Sequence, residues 1–233
     1  MIFHKYQTIY FHIGKTAGVS IEKAFDGDVT RDINSTDYDS FYGRDRENRL
    51  YLQHATPKFI QQKVSHDIFS TYFKFTVVRN PFARMVSVFH YLVDQHTQEY
   101  GSFEGFIHNL EKLVKIFEPS SGSHYLPQVN YCMIADAPAC NEIIFFERLS
   151  SDFEKIRQIT GLDSRLQHHN QNVWSNWKEK AVHEFYCQET SDILLNLYRD
   201  DFHLFGYSDD PEVLMPIYKS KAPLAPYNKE ILL

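Results

Sequence analysis

The stretch T-I-Y-F-H-I-G-K-T-A-G-V-S-I-E-K-A-F, residues 8–25, predicts a strand, a loop and a helix in succession. An apolar run covers residues 9–13, and after Gly14 the apolar residues recur at the spacing of an amphipathic helix. Backbone N–H groups at a helix N-terminus can surround one anion, and Lys15 would add positive charge. The stretch therefore predicts a ligand that carries phosphate.

This loop supplies most of the candidate binding residues, but its pattern is not specific by itself. The glycine that opens a Walker A motif is missing upstream of Gly14-Lys15-Thr16, which argues against a nucleoside triphosphatase. An ordinary strand-to-helix turn, with Gly14 at positive φ and Thr16 or Ser20 as helix cap, explains the stretch equally well. The candidates are Gly14, Lys15, Thr16, Ala17, Gly18, Val19 and Ser20.

A second stretch, Y-F-K-F-T-V-V-R-N-P-F-A-R-M-V-S-V-F-H-Y-L at residues 72–92, predicts another buried strand that leads into a helix. Pro81 suits the first turn of that helix. Arg79 follows the strand, at the edge where open α/β sheets bind ligands. Ser87 lies eight residues further on, so a guanidinium and a hydroxyl could meet at one phosphate. A structural role for each residue remains an alternative.

Together the two stretches resemble the sulfotransferase superfamily, most closely the carbohydrate sulfotransferases of family 2. F-H-I-G-K-T-A-G-V-S-I-E is similar to the family's 5′-phosphosulfate loop, with Gly14 where proline is common and Val19 where threonine is common. V-V-R-N-P-F-A-R-M-V-S-V-F resembles its 3′-phosphate motif. The resemblance implies a three-layer αβα fold with a mostly parallel sheet and a P-loop-like phosphosulfate loop.

The same resemblance implies the chemistry. The donor would be 3′-phosphoadenosine 5′-phosphosulfate (PAPS), the product 3′-phosphoadenosine 5′-phosphate (PAP), and the acceptor a hydroxyl, with a carbohydrate favoured. Lys15 would stabilise the leaving phosphate, and Arg79 with Ser87 would hold the 3′-phosphate. No metal is required by this arrangement.

His54 is the predicted general base. It follows a short predicted strand at residues 50–52, and an imidazole at a strand end can take a proton from an acceptor hydroxyl. A structural histidine beside the next helix is an equally good interpretation, and His12 ranks lower as a base. By resemblance, the polar segment at residues 121–131 contributes His124 and Gln128 as acceptor contacts, although a simple turn explains it too.

The rest of the chain predicts further alternation of helices and strands. Residues 26–49 lack a sustained period and are interpreted as an exposed, partly irregular connection or an acceptor loop. Helices are expected at residues 57–68, 96–118 and 153–161, and a strand at residues 141–147. Residues 163–177 resemble a segment that closes over the nucleotide, and residues 198–207 resemble the family's last motif.

Composition limits the remaining possibilities. The 233 residues suit one α/β domain, predicted at residues 1–208, followed by a proline-containing tail at residues 209–233. A net charge of −6 argues against nucleic acid as a partner. Three cysteines without zinc-site spacing are expected to be reduced and packed.

The sequence shows no apolar run long enough for a transmembrane segment and no signal-peptide pattern. A cytoplasmic protein is expected if the chain is full length, whereas a removed membrane anchor would imply the Golgi lumen. Two other functions stay open: a nucleotide-dependent phosphotransferase such as a kinase, which would need Mg²⁺, and a catalytically silent nucleotide- or glycan-binding protein of the same fold.

Overall fold

A mostly parallel sheet of four strands forms the centre of the protein. The computed structural model describes residues 1–27, 31–96, 101–116, 123–166 and 180–227. The sheet contains β1 (Ile2–Phe3), β2 (Thr8–Phe11), β6 (Phe73–Val78) and β9 (Glu142–Phe145), in the order β1-β2-β6-β9. β1 pairs antiparallel with β2, and the other two pairings are parallel. The predicted mixed α/β fold with a mostly parallel sheet is thus confirmed.

The register of the parallel strands brings the segments that follow β2, β6 and β9 to one edge of the sheet. Phe11 pairs with Thr76, and Val78 pairs with Phe145. The chain therefore leaves β2, β6 and β9 at neighbouring positions, which is where ligands bind in open α/β sheets.

Eight helices and five further strands surround this sheet in the described part of the chain. The helices are α1 (Gly18–Asp26), α2 (Pro57–Lys63), α3 (His66–Thr71), α4 (Pro81–His96), α5 (Phe103–Ile116), α6 (Leu149–Thr160), α7 (Gln188–Leu197) and α8 (Arg199–Phe205). The strands are β3 (Thr36–Asp37), β4 (Tyr42–Asp45), β5 (Leu50–Tyr51), β7 (Met133–Ile134) and β8 (Ala137–Pro138).

Two hydrophobic clusters use opposite faces of the central strands. Ile9 and Phe11 belong to one cluster with residues of α2, α4, α5, α7 and α8. Tyr10 and Phe75 belong to the other, with residues of α1 and α6. Because successive strand residues point to opposite faces, both faces of the sheet are covered by helices.

A small antiparallel sheet corrects the interpretation of residues 26–49. Strands β3, β4 and β5 pair in that order, and residues 28–30 lie outside the described residues. The strand predicted at residues 50–52 is present as β5, but it belongs to this small sheet, and the 3-10 helix Leu52–His54 follows it. The alternating side chains of such short polar strands give too weak a sequence signal to be recognised.

Other predicted boundaries also shift. The helix expected over residues 57–68 is two helices, because Val64 is extended and Ser65 caps α3 through its hydroxyl. Of the segment expected to close over the nucleotide, residues 167–177 lie outside the described residues. Cys132 and Cys140 are buried free thiols, but Cys187 is exposed, contrary to the expectation that all three are packed.

The C-terminal tail lies along the domain. Asn80 Nδ2 donates to the carbonyls of Val213 and Leu214 at 3.4 and 3.3 Å. Further along, Asn141 Nδ2 donates to the carbonyls of Ala225 and Pro226, both at 3.1 Å. The described tail thus extends from the ligand edge of the sheet to its opposite end.

Among the residues that the structure describes, no helix combines the length and the apolar character needed to cross a membrane.

Candidate active site

The loop between β2 and α1 has an uncommon backbone. Lys15 and Ala17 have φ angles of 68° and 71°, a left-handed conformation that few residues other than glycine adopt. Ala17 is the N-cap of α1, and no side chain caps the helix. Thr16 is not a cap either, because its hydroxyl donates to the Ile13 carbonyl at 2.8 Å. Within the described residues, the start of α1 therefore has no side-chain cap.

The backbone N–H groups of this helix start are available to a ligand. Within the described residues, Ser20 is the first in α1 whose N–H donates to a backbone carbonyl, that of Ala17 at 3.0 Å. The N–H groups of Gly18 and Val19 have no acceptor in the described part of the chain. Together with the positive end of the helix dipole, they favour an anion.

Both loop glycines are required by the close approach of histidines. A Cβ atom added at Gly18 would lie 1.7 Å from His12 Nε2, and one added at Gly14 would lie 2.4 Å from His124 Cδ2. Any larger side chain would displace these rings. The glycines thus allow two imidazoles to touch the backbone of the loop.

Three histidines form one cluster beside the loop. The ring centroids of His12 and His54 are 4.4 Å apart, and those of His54 and His124 are 4.7 Å apart. His54 Nδ1 lies 3.1 Å from the His12 carbonyl, and His54 Nε2 lies 3.2 Å from His124 Nε2. The predicted base is therefore in the site, although β5 brings it there from outside the central sheet.

The hydrogen bonds fix the protonation pattern of the pair. A carbonyl oxygen can only accept a hydrogen bond, so His54 Nδ1 carries a proton. Nε2 of the neutral ring then carries no proton and has a lone pair that can accept one. His124 must then donate from Nε2. In the neutral ring of His124, the lone pair lies at Nδ1, which makes no hydrogen bond with another described residue.

Both imidazoles are neutral at physiological pH. Burial lowers the pKa of His54 to about 4, with the positive charge of Lys15 a smaller contribution, while the His12 carbonyl opposes the shift. Burial also holds the pKa of His124 well below its ordinary value, followed by the effect of His54. A neutral imidazole can accept a proton, so the cluster is suited to general base chemistry.

Lys15 lies over an aromatic ring at the same place. Its Nζ is 4.5 Å from the Tyr91 ring centroid, and the Tyr91 and His124 centroids are 5.2 Å apart. Tyr91 belongs to α4, the helix that follows Arg79. The lysine and the histidine pair therefore lie close together, as predicted, whereas Tyr91 was not predicted to be in the site.

Arg79 joins the loop to the next strand end. Its Nη1 donates to the Lys15 carbonyl at 3.1 Å, and its guanidinium lies 4.2 Å from the Phe146 ring centroid. Its Nε is buried and has no hydrogen-bond partner among the described residues. Burial lowers the pKa of Arg79 to about 10, while Glu147 raises it, so the group remains a cation at neutral pH. A cation whose Nε–H is buried without a partner is suited to an anionic ligand.

Arg84 lies in the site, although no role was predicted for it from the sequence. It is fully buried on α4, and its Nη2 donates to the carbonyls of His124 and Leu126 at 2.8 and 2.9 Å. Its Nε lies 3.4 Å from the Gly14 carbonyl. One side chain thus fixes both the loop and the segment that carries His124. Its place in the R-N-P-F-A-R pattern was the available signal.

Gln128 corrects a prediction. Its side chain is fully buried, its Oε1 accepts from the Arg79 N–H at 2.9 Å, and its Nε2 donates to the Arg79 carbonyl at 2.8 Å. The oxygen and the nitrogen of the side-chain amide therefore both form hydrogen bonds with the backbone of Arg79. Gln128 positions that arginine and is not available to contact an acceptor.

Ser87 lies half-buried on α4, and its hydroxyl makes no hydrogen bond with another described residue. Its pairing with Arg79 at one phosphate stays a prediction.

In the described residues, three side chains that could hold a metal meet at Glu104, His108 and Glu189, all exposed on α5 and α7. None of the loop residues belongs to that group.

The fold and site define a class: α/β proteins that present a loop, a helix N-terminus and a buried arginine at the carboxyl edge of a parallel sheet. Within that class, this chain belongs to the sulfotransferase family, because the model described as "Sulfotransferase family" matches residues 1–208. The family places it among the transferases and supports sulfuryl transfer in general. No curated protein and no solved structure matches the chain.

Proposed function

We propose that this protein transfers a sulfuryl group from PAPS to a hydroxyl of a carbohydrate. The observation that carries the proposal is the uncapped start of α1, where Lys15 and Ala17 are left-handed, next to the unpartnered Nε of Arg79. PAPS carries an anion at each end of its ribose, so two separate anion sites at one sheet edge suit it. The family match supports the same donor.

The 5′-phosphosulfate would occupy the loop. N–H groups of residues 16–19 would hold the 5′-phosphate, since the Ser20 N–H already donates to the Ala17 carbonyl. Lys15 would face the oxygen that bridges phosphorus and sulfur. Negative charge develops on that oxygen as the S–O bond breaks, so a fixed cation there lowers the barrier. Lys15 is already held at this place through its contact with Tyr91.

The 3′-phosphate would bind between Arg79 and Ser87. The guanidinium of Arg79 is preorganised by the Lys15 carbonyl and the Phe146 ring, so little side-chain entropy is lost on binding. Ser87 is placed on the helix that begins two residues after Arg79. A hydroxyl donor there would add a hydrogen bond to the phosphate.

His54 would take the proton of the acceptor hydroxyl. Its neutral state at physiological pH and the protonated Nδ1 leave Nε2 as the basic nitrogen. The acceptor oxygen would attack sulfur directly, so no covalent enzyme intermediate is needed. A carbohydrate acceptor rests on the resemblance to family 2, and His124 remains the candidate contact on the acceptor side.

Two alternatives make different demands. A kinase would use the same type of loop but would need Mg²⁺ to bridge its phosphates. A silent binding protein would bind PAP without turnover. The clustered neutral histidines favour a catalytic role over silent binding, because a binding site alone does not need a base beside the loop.

The test is a transfer assay with ³⁵S-labelled PAPS and a panel of unsulfated oligosaccharides, with and without EDTA. We expect transfer that resists EDTA, and a loss of about 100-fold or more in kcat/KM for Lys15→Ala. Lys58→Ala, an exposed lysine on α2, is the control and should retain full activity. Wild-type rates in Lys15→Ala and His54→Ala would show the assigned roles to be wrong. Transfer of γ-phosphate from ATP that EDTA abolishes would favour the kinase.

A further inference from the structure

We infer that His124 and His54 act as a two-step proton relay, in which His124 contacts the acceptor hydroxyl and His54 holds the proton afterwards. The inference rests on the proposed function and changes its chemistry at one point. His124 becomes the catalytic residue that touches the acceptor, and the acceptor's proton reaches His54 only through it.

The first support is the occupied nitrogen of His54. Its Nε2, the basic nitrogen of the neutral ring, lies 3.2 Å from His124 Nε2 and accepts that N–H. An acceptor hydroxyl that used His54 directly would have to break this hydrogen bond. Between His54 and His124, the unused lone pair lies on the other side of the His124 ring, at Nδ1.

The second support is the position of His124 against the loop. Its ring is in the space that a Cβ at Gly14 would fill, and its centroid is 5.2 Å from the Tyr91 ring over which Lys15 lies. The backbone of His124 is also held in place, because Arg84 Nη2 donates a hydrogen bond to its carbonyl. The imidazole is therefore fixed beside the proposed phosphosulfate loop.

The third support is that the hydrogen bonds favour the proton on His54 over His124. His54 donates from Nδ1 to the His12 carbonyl, and that bond favours the charged form of His54. No such acceptor lies at Nδ1 of His124 among the described residues. A proton that enters the pair is thus stabilised on His54, away from the sulfuryl group.

The step balances without another reactant. The acceptor oxygen forms a bond to sulfur, and the bond between sulfur and the 5′-phosphate oxygen breaks, so PAP leaves with the electron pair. The acceptor proton moves to His124 Nδ1 while the proton on His124 Nε2 moves to His54 Nε2. His54 then holds both ring protons. After the products leave, the proton on His54 Nε2 returns to His124 Nε2 and the proton on His124 Nδ1 is released to water, which restores the starting pair.

The experiment compares single-turnover transfer from ³⁵S-labelled PAPS to unsulfated oligosaccharides in the wild type, His124→Ala, His54→Ala and the double variant. His66→Ala, whose side chain is 93% exposed, is the matched control. PAP affinity is measured by calorimetry in each variant. A proton inventory, which is the rate in mixtures of H₂O and D₂O, is recorded for the wild type and for His54→Gln.

We expect His124→Ala to lose about 100-fold or more in rate with PAP affinity within about twofold of wild type. The double variant should be no slower than His124→Ala, because the two rings act as one unit. The wild-type inventory should be curved, as two protons move, and that of His54→Gln should be linear. If His54 had only a structural role, His54→Gln would leave the shape of the proton inventory as it is in the wild type.

Three results would overturn the relay alone: a loss below about tenfold in His124→Ala, a loss matched by an equal loss of PAP affinity, or a linear wild-type inventory. A wild-type protein that transfers no sulfuryl group would overturn the proposed function and the relay with it. The two failures are therefore distinguished by the activity of the wild type.

Discussion

At the scale of single residues, the loop is shaped by its neighbours as much as by its own sequence. The alternative of an ordinary turn places Gly14 at positive φ, but the left-handed residues are Lys15 and Ala17. What excludes a side chain at Gly14 and Gly18 is contact with imidazole rings. These rings come from residues before and far after the loop, so local turn rules could not predict the constraint.

Gly18→Ala tests this constraint. The new methyl group would meet the buried ring of His12, which cannot move freely because it stacks on Tyr10 and packs against His54. We expect a loss of about 1–3 kcal/mol in the free energy of unfolding, the usual cost of overpacking. PAP affinity should also fall, by about tenfold or more, because the start of α1 must shift. Urea unfolding and calorimetry measure the two effects.

A second variant provides the control for Gly18→Ala. Removing the ring with His12→Ala opens the space, so the double variant should lose less stability than the sum of the two single losses. Additive losses, or a Gly18→Ala protein with wild-type stability and affinity, would contradict the steric account.

At the scale of elements, the sequence predicted best what is determined locally. The strand Phe73–Val78 and the start of α4 at Pro81 were predicted at their observed positions. A buried parallel strand is a continuous apolar run, and proline is favoured at the first helical turn, so both signals are contained in a few residues.

Short polar strands were missed even though they pair with near neighbours in sequence. β3 and β4 are short, polar and partly exposed, so they lack the apolar alternation that predicts a strand. The strand predicted before His54 is present as β5, but it belongs to this small sheet. A 3-10 helix after β5 carries His54 against the His12 carbonyl.

The supporting side chains were the least predictable part of the site. Arg84 bonds carbonyls that lie 40 and 42 residues away in sequence, and Gln128 bonds a residue 49 positions away. Residue types and spacing identify polar groups near a ligand, but they do not show whether such a group faces the ligand or the backbone. The proximity of Lys15, Arg79 and His54 to the loop could be predicted, and the side chains that position them could not.

At the scale of the whole molecule, the tail that follows the family-matched region is part of the folded domain. Asn80 is fully buried and Asn141 nearly so, and their side-chain amides bond tail carbonyls. Tyr227 adds a ring contact to Phe73, with centroids 5.0 Å apart. The tail thus satisfies buried polar groups that would otherwise lack partners.

We predict that a chain ending at Ser208 is less stable by about 2–5 kcal/mol, since each buried amide left without a partner costs about 1–3 kcal/mol. Chemical denaturation of the shortened and full chains measures the difference. Met215→Ser and Ile217→Ser are the controls, because both side chains are exposed, at 49% and 62%, and only surface contacts change. Equal stability of the shortened and full chains would show that the tail does not support the domain.

The central claim is that the loop and Arg79 form one nucleotide site, and calorimetric titration with PAP in metal-free buffer tests it most directly. Arg79→Ala should weaken PAP binding by about 100-fold, because a cation with an unused Nε donor is lost from the 3′-phosphate. Arg157→Ala, a variant of an arginine on α6 that pairs with Glu154, should bind PAP as the wild type does. Tight wild-type binding that only Arg79→Ala weakens is the predicted result. No PAP binding by the folded wild type, or equal binding by Arg79→Ala, would contradict the account.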